Sequence, residues 1–195
     1  GNFKPGFIIK AVGDTTNGFI KLKTNKNTEK QCLFKITKKG AVETYTPIDL
    51  IGFGIHNGKF FESKNTAQSI ANETDVFLLP FSSDQNFLEV LVRGDLTLYR
   101  HRNEFIFEKN DTLTRVNNKK TITSEIGEKV ELYSKDDVRV VARLLGGCSE
   151  VLIDFAKFKV SERYLTELVE NYNRCVGADH IVFKKDIPWT TAELS

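Results

Sequence analysis

Three histidines and three cysteines are the side chains of this 195-residue sequence most readily turned to catalysis or metal binding. His56, His101 and His180 stand far apart, in expected turns or in the tail, and none has a partner at helical spacing. A nucleophile drawn from Ser82, Ser83 or Cys148 would need a site assembled from scattered residues, since no GxSxG elbow accompanies them. Cys32, Cys148 and Cys175 lack the paired spacing of a zinc site. Gly52-Phe53-Gly54 lacks the third glycine and following helix of a dinucleotide fingerprint, and no GxxxxGK[ST] loop occurs. No metal and no cofactor are therefore expected.

Binding offers more. The first sixty residues hold ten lysines against four acids, a local charge of +6 that leaves −4 for the remainder of a chain of net charge +2. Lys21, Lys23 and Lys35, interleaved with Phe19, Phe34 and Tyr45, are the candidate binding residues, because cations set among aromatic rings on a sheet suit polyanions. The competing explanation is that lysines on strands guard against edge-to-edge aggregation. The overall charge creates no field that demands nucleic acid, which is not an expected partner; a glycan or a lipid headgroup is the polyanion expected on this face.

Short runs rich in Phe, Ile, Val, Thr and Tyr must position these residues. Phe7–Ile9 and Gly18–Leu22 flank the Gly13–Asn17 turn, Cys32–Ile36 and Val42–Tyr45 flank Lys38-Lys39-Gly40, and Ile51–Ile55 and Lys59–Phe61 flank His56-Asn57-Gly58. Each reads as an antiparallel hairpin, the last on the strongest short-range signal, Asn-Gly. Together they predict a meander, and further strand runs continue to about residue 115. The apolar period then lengthens: Val138, Val141, Ala142 and Leu145 predict a helix over 136–146 capped near Ser134. Leu165, Leu168, Val169 and Tyr172 predict another over 161–175, capped by Ser161. Val151, Leu152 and Phe155 fit a short third helix. The expected fold is α+β: predominantly antiparallel β, a sandwich or open barrel of hairpins, followed by two or three C-terminal helices. A single domain over residues 1–175, β-rich at 6–115 and helical at 134–175, is expected, with 176–195 a tail or linker that holds one short strand run.

Composition supports a folded chain, since 40% hydrophobic and 11% aromatic residues suffice for a core and exclude global disorder. No apolar run is long enough for a transmembrane helix, and the opening GNFKPGFIIKAVGDT lacks the pattern of a signal peptide. The absence of methionine suggests a processed or trimmed product whose start lies upstream. Cys148 and Cys175 fall at the ends of the two predicted helices. They can pair in an oxidising compartment or remain buried thiols in a reducing one.

Gly6-Phe7-Ile8-Ile9 leading into Gly13-Asp14-Thr15-Thr16-Asn17-Gly18-Phe19-Ile20, then Tyr45-Thr46-Pro47-Ile48-Asp49-Leu50-Ile51-Gly52-Phe53, then Tyr172-Asn173-Arg174-Cys175, carry a likeness. Their order, spread over residues 6 to 175, resembles an uncharacterised group of exported Bacteroidetes proteins, some of which precede an outer-membrane β-barrel. Ser149 departs from the group's pattern, which has proline there. The resemblance implies a periplasmic or envelope location and a Cys148–Cys175 disulfide, and it implies no activity. The expected function is a non-catalytic envelope binding or interaction domain, with an envelope hydrolase built from scattered residues as the alternative.

Overall fold

A computed structural model describes residues 2–22, 28–66, 84–116, 120–123, 129–132, 135–151, 153–154 and 157–183. The chain is mostly antiparallel sheet with helices toward its C-terminal end, the α+β class that the residue patterns predict. The chain divides into two compact units, one from residues 1–68, 72–90 and 183–195, the other from 69–71 and 91–182. Each has its own apolar cluster.

In the first unit β1 (Lys4–Lys10) and β2 (Thr15–Lys21) form the expected hairpin. Gly13 turns it with φ of +88°, a conformation open to glycine at no steric cost. β3 (Cys32–Lys35) pairs with β4 (Glu43–Tyr45), and β5 (Leu50–Ile55) pairs with β6 (Phe60–Asn65) across a turn in which Asn57 has positive φ. With β7 (Gln85–Arg93) the order is β4-β3-β2-β1-β5-β6-β7. The three hairpins are thus not a simple meander, because β5 returns to the free side of β1.

That return forces curvature. Neighbouring strands lie about 4.8 Å apart, so in a flat sheet β4 and β5 would be separated by about 19 Å sideways. Tyr45 is also paired with Cys32, beyond the Lys21 end of β2, whereas Leu50 is paired with Lys10 at the other end of β1. The Thr46–Asp49 link, itself tightened by a bond from the Asp49 amide to the Thr46 carbonyl (3.0 Å), is too short for that diagonal. The sheet must curl, and its far strand accordingly meets the link between β2 and β3: the Phe87 amide donates to the Glu29 carbonyl at 2.8 Å. Inside the curl Ile8, Ile20, Phe34, Leu50, Phe53, Phe61 and Phe87 are buried, with Phe53 stacked on Phe61 and edge-on to Phe87.

In the second unit β7 is followed by β8 (Thr97–His101), β9 (Glu104–Lys109) and β10 (Thr112–Val116) in spatial order. The turn into β10 has positive φ at both Asn110 and Asp111, the signature of a type I′ hairpin. β11 (Lys120–Thr123) and β12 (Lys129–Leu132) pair with each other, strands beyond the residue-115 limit that the sequence suggests. α1 (Lys135–Leu144) buries Val138 and Val141, and Leu145 just beyond it. Ser134, its predicted cap, lies outside the described residues, as do Leu152 and Phe155. α2 (Glu162–Cys175) starts at Ser161, whose hydroxyl accepts from the Tyr164 amide, and buries Leu165, Leu168, Val169 and Tyr172 as its periodicity predicts. Val151, Ile153 and Asp154 are not helical. In the tail, β13 (Ile181–Val182) pairs with the end of β7. No helix among the described residues is long and apolar enough to cross a membrane.

Candidate functional site

Strand alternation sorts the candidate binding residues onto two faces of the first unit's sheet. Ile20 is fully buried inside the curl, so its neighbours Phe19 and Lys21 point outward. Phe19 is directly opposite Lys35, and Lys21 is opposite Leu33, so these four half-buried side chains share the outward face. Phe3, just before β1, completes it: the Lys35 ammonium lies 4.7 Å from the centre of its ring and the Lys21 ammonium 5.9 Å. Each contact is worth roughly 0.5–1 kcal/mol at an exposed site.

Phe34 and Tyr45 belong to the other face. Phe34 is 2% exposed and lies inside the core, and Tyr45, opposite Cys32, packs its ring edge-on against Phe34. The Tyr45 hydroxyl donates to Glu43, which together with partial burial pushes its pKa up to about 12. Lys23 lies outside the described residues. The structure therefore brings Phe19, Lys21 and Lys35 together, separates them from Phe34 and Tyr45, and adds Phe3. Parity was the available signal for Phe34: it shares the alternation of Cys32, which stands at an inward position.

The ion pairing of this face differs from that of other lysines in the first unit. Lys30 is paired with Asp84 at 2.9 Å, and Lys59 with Glu89 at 3.3 Å. Neither Lys21 nor Lys35 has an ion-pair partner among the described residues. Two ammonium groups thus converge on one ring, no farther apart than the sum of their distances to it. A second outward aromatic group runs from His56 through Phe7 and Phe60 to Phe183, with centroid separations of 5.5, 5.9 and 5.4 Å. Gly54 makes room for it, since a Cβ there would approach both Phe7 and Phe60.

The groups considered for catalysis are dispersed or committed. His56 is in the first unit; His101 and His180 are in the second, His180 with its Nδ1 3.3 Å from the Ala178 carbonyl. Ser82 and Ser83 lie outside the described residues. Cys148 is bonded to Cys175 with a Cα separation of 6.0 Å, so it carries no free thiol. Cys32 is buried, and burial raises its thiol pKa to about 12, which keeps it protonated. Among the described residues no group of three His, Cys, Asp or Glu side chains is placed to hold a metal ion.

Two residues that chemistry-first reading overlooks are structural. The Asn173 side chain accepts from the Leu96 amide and donates to the Leu96 carbonyl, both at 2.9 Å, pairing α2 to a strand end as another strand would. Lys109 reaches the C-terminal end of α1, donating to the Leu144 carbonyl at 2.7 Å and to the Tyr172 hydroxyl at 2.6 Å. A cation there complements the helix dipole. No family model matches the chain, and neither a curated protein nor a solved structure matches it.

Proposed function

We propose that this chain is an exported, non-catalytic domain of the cell envelope or periplasm that binds an envelope protein, a glycan or a lipid headgroup through the outward face bearing Phe3, Phe19, Lys21 and Lys35. The observation that carries the reading is the convergence on the Phe3 ring of two ammonium groups that have no acidic partner among the described residues. Like charges held together without neutralisation favour an anionic ligand, whose arrival removes their mutual repulsion. Export is supported by the Cys148–Cys175 disulfide, since such bonds persist in oxidising compartments.

The reading is tested with isolated envelope fractions. Replacing Lys21, Lys23 and Lys35 by glutamate is expected to weaken binding by at least about tenfold, equivalent to roughly 1.4 kcal/mol. Unchanged binding by that variant would overturn the assignment of this face, and turnover of a substrate from a broad hydrolase panel would overturn the non-catalytic reading.

A further inference from the structure

We infer that Lys21, Lys35 and Phe3 form a seat for a phosphomonoester carried by an anionic lipid, so that the outward face of the first unit's sheet lies on a phospholipid surface. This inference rests on the binding role proposed above and narrows its ligand. Charge selects the headgroup. A phosphomonoester carries about −1.5 to −2 near neutral pH and has several acceptor oxygens, whereas a carboxylate or phosphodiester carries a single charge. Two lysines supply two compact charges with three rotatable donors each, which can follow a tetrahedral anion.

The surroundings select a lipid over a free anion. In the paired register Pro5, Phe19 and Lys35 form one cross-strand row and Lys21 is opposite Leu33, so each lysine has an apolar neighbour across the strands. Pro5 is exposed and the other four are half-buried, a mixture that suits the boundary between headgroups and acyl chains. Each lysine beside an anionic membrane surface adds only a small increment, so the pair alone gives modest binding that the apolar contacts reinforce.

The test uses the full chain in co-sedimentation with neutral phosphatidylcholine vesicles, with vesicles also containing phosphatidic acid, and with vesicles containing phosphatidylglycerol matched for surface potential. Binding to the phosphatidic acid vesicles at least about tenfold tighter than to the phosphatidylglycerol vesicles is expected. Lys21→Gln with Lys35→Gln should abolish that preference, Lys21→Arg with Lys35→Arg should keep most of the binding, and Lys38→Gln with Lys39→Gln, in the exposed β3–β4 loop, should leave the preference intact. Equal binding to both anionic lipids, or equal loss in the Lys38/Lys39 variant, would overturn the seat in favour of diffuse attraction. Tight binding of inorganic phosphate without vesicle binding would overturn the lipid as its source. If vesicles are ignored while envelope fractions still bind through Lys21 and Lys35, this inference fails and the broader binding role stands; if both are ignored, both fail.

Discussion

Asn173 shows how one side chain replaces a stretch of backbone pairing. It is fully buried, and its amide satisfies both the amide and the carbonyl of Leu96. Asn173→Ala would leave these two groups without partners in an apolar setting, a loss of about 2–6 kcal/mol at roughly 1–3 kcal/mol per unsatisfied group. Urea denaturation should show it as a lower midpoint with an unchanged slope; a shift below about 0.5 kcal/mol, the range of ordinary surface changes, would show that water takes over the pairing. Asp49 acts by charge. Its carboxylate accepts from the Thr46 hydroxyl and the Thr46 amide, both at 2.7 Å, and these bonds hold its pKa below the usual value. A carboxyl whose folded pKa is depressed stabilises the fold above its unfolded pKa of about 3.9, and that contribution is lost as pH falls through the folded value. Asp49→Asn should therefore cost stability at about pH 7 and progressively less toward about pH 3. An equal cost at both would assign the effect to shape alone.

The elements were legible wherever the signal is local. Gly13, the Asn57-Gly58 turn and the apolar stripe of α2 appear where residue types and periods place them. The path from β4 to β5 was not, because β5 chooses β1 as its neighbour through non-local pairing, and nothing within the Thr46–Asp49 link encodes that choice. The β9–β10 turn uses Asn110-Asp111 rather than the asparagine–glycine pair that advertises such hairpins. The Tyr172–Cys175 segment is now explained by folding: Tyr172 joins Lys109 and Asp95, Asn173 joins Leu96, Arg174 pairs with Glu170, and Cys175 closes the disulfide. That disulfide joins the end of α2 to the turn after α1 across 27 residues and contributes about 3.5 kcal/mol in the chain-entropy picture. Thiol labelling checks the arrangement. Protein from an oxidising compartment should expose no reactive thiol when folded, Cys32 alone when denatured without reductant, and all three cysteines when reduced. Three reactive thiols without reductant would contradict the bridge.

Across the whole molecule, charge is divided unevenly along a chain that is nearly neutral in total. The lysine-rich N-terminal region builds the curled sheet whose outward face holds the candidate site, while the disulfide and both described helices belong to the second unit. Composition gave away the charge imbalance and the residue types of the site. It could not reveal Phe3, whose role depends on the register of three strands, nor place Phe34, whose inward position depends on alternation. The most direct test of the central claim is a salt titration of full-chain binding to isolated envelope fractions, run beside the Lys21→Gln, Lys35→Gln variant. Exposed charges are screened within about 10 Å at 0.1 M salt, so wild-type affinity should fall steeply as salt rises, while the variant should start at least about tenfold weaker and respond less. Equal affinities with equal salt dependence would contradict the claim that these two lysines form the binding site.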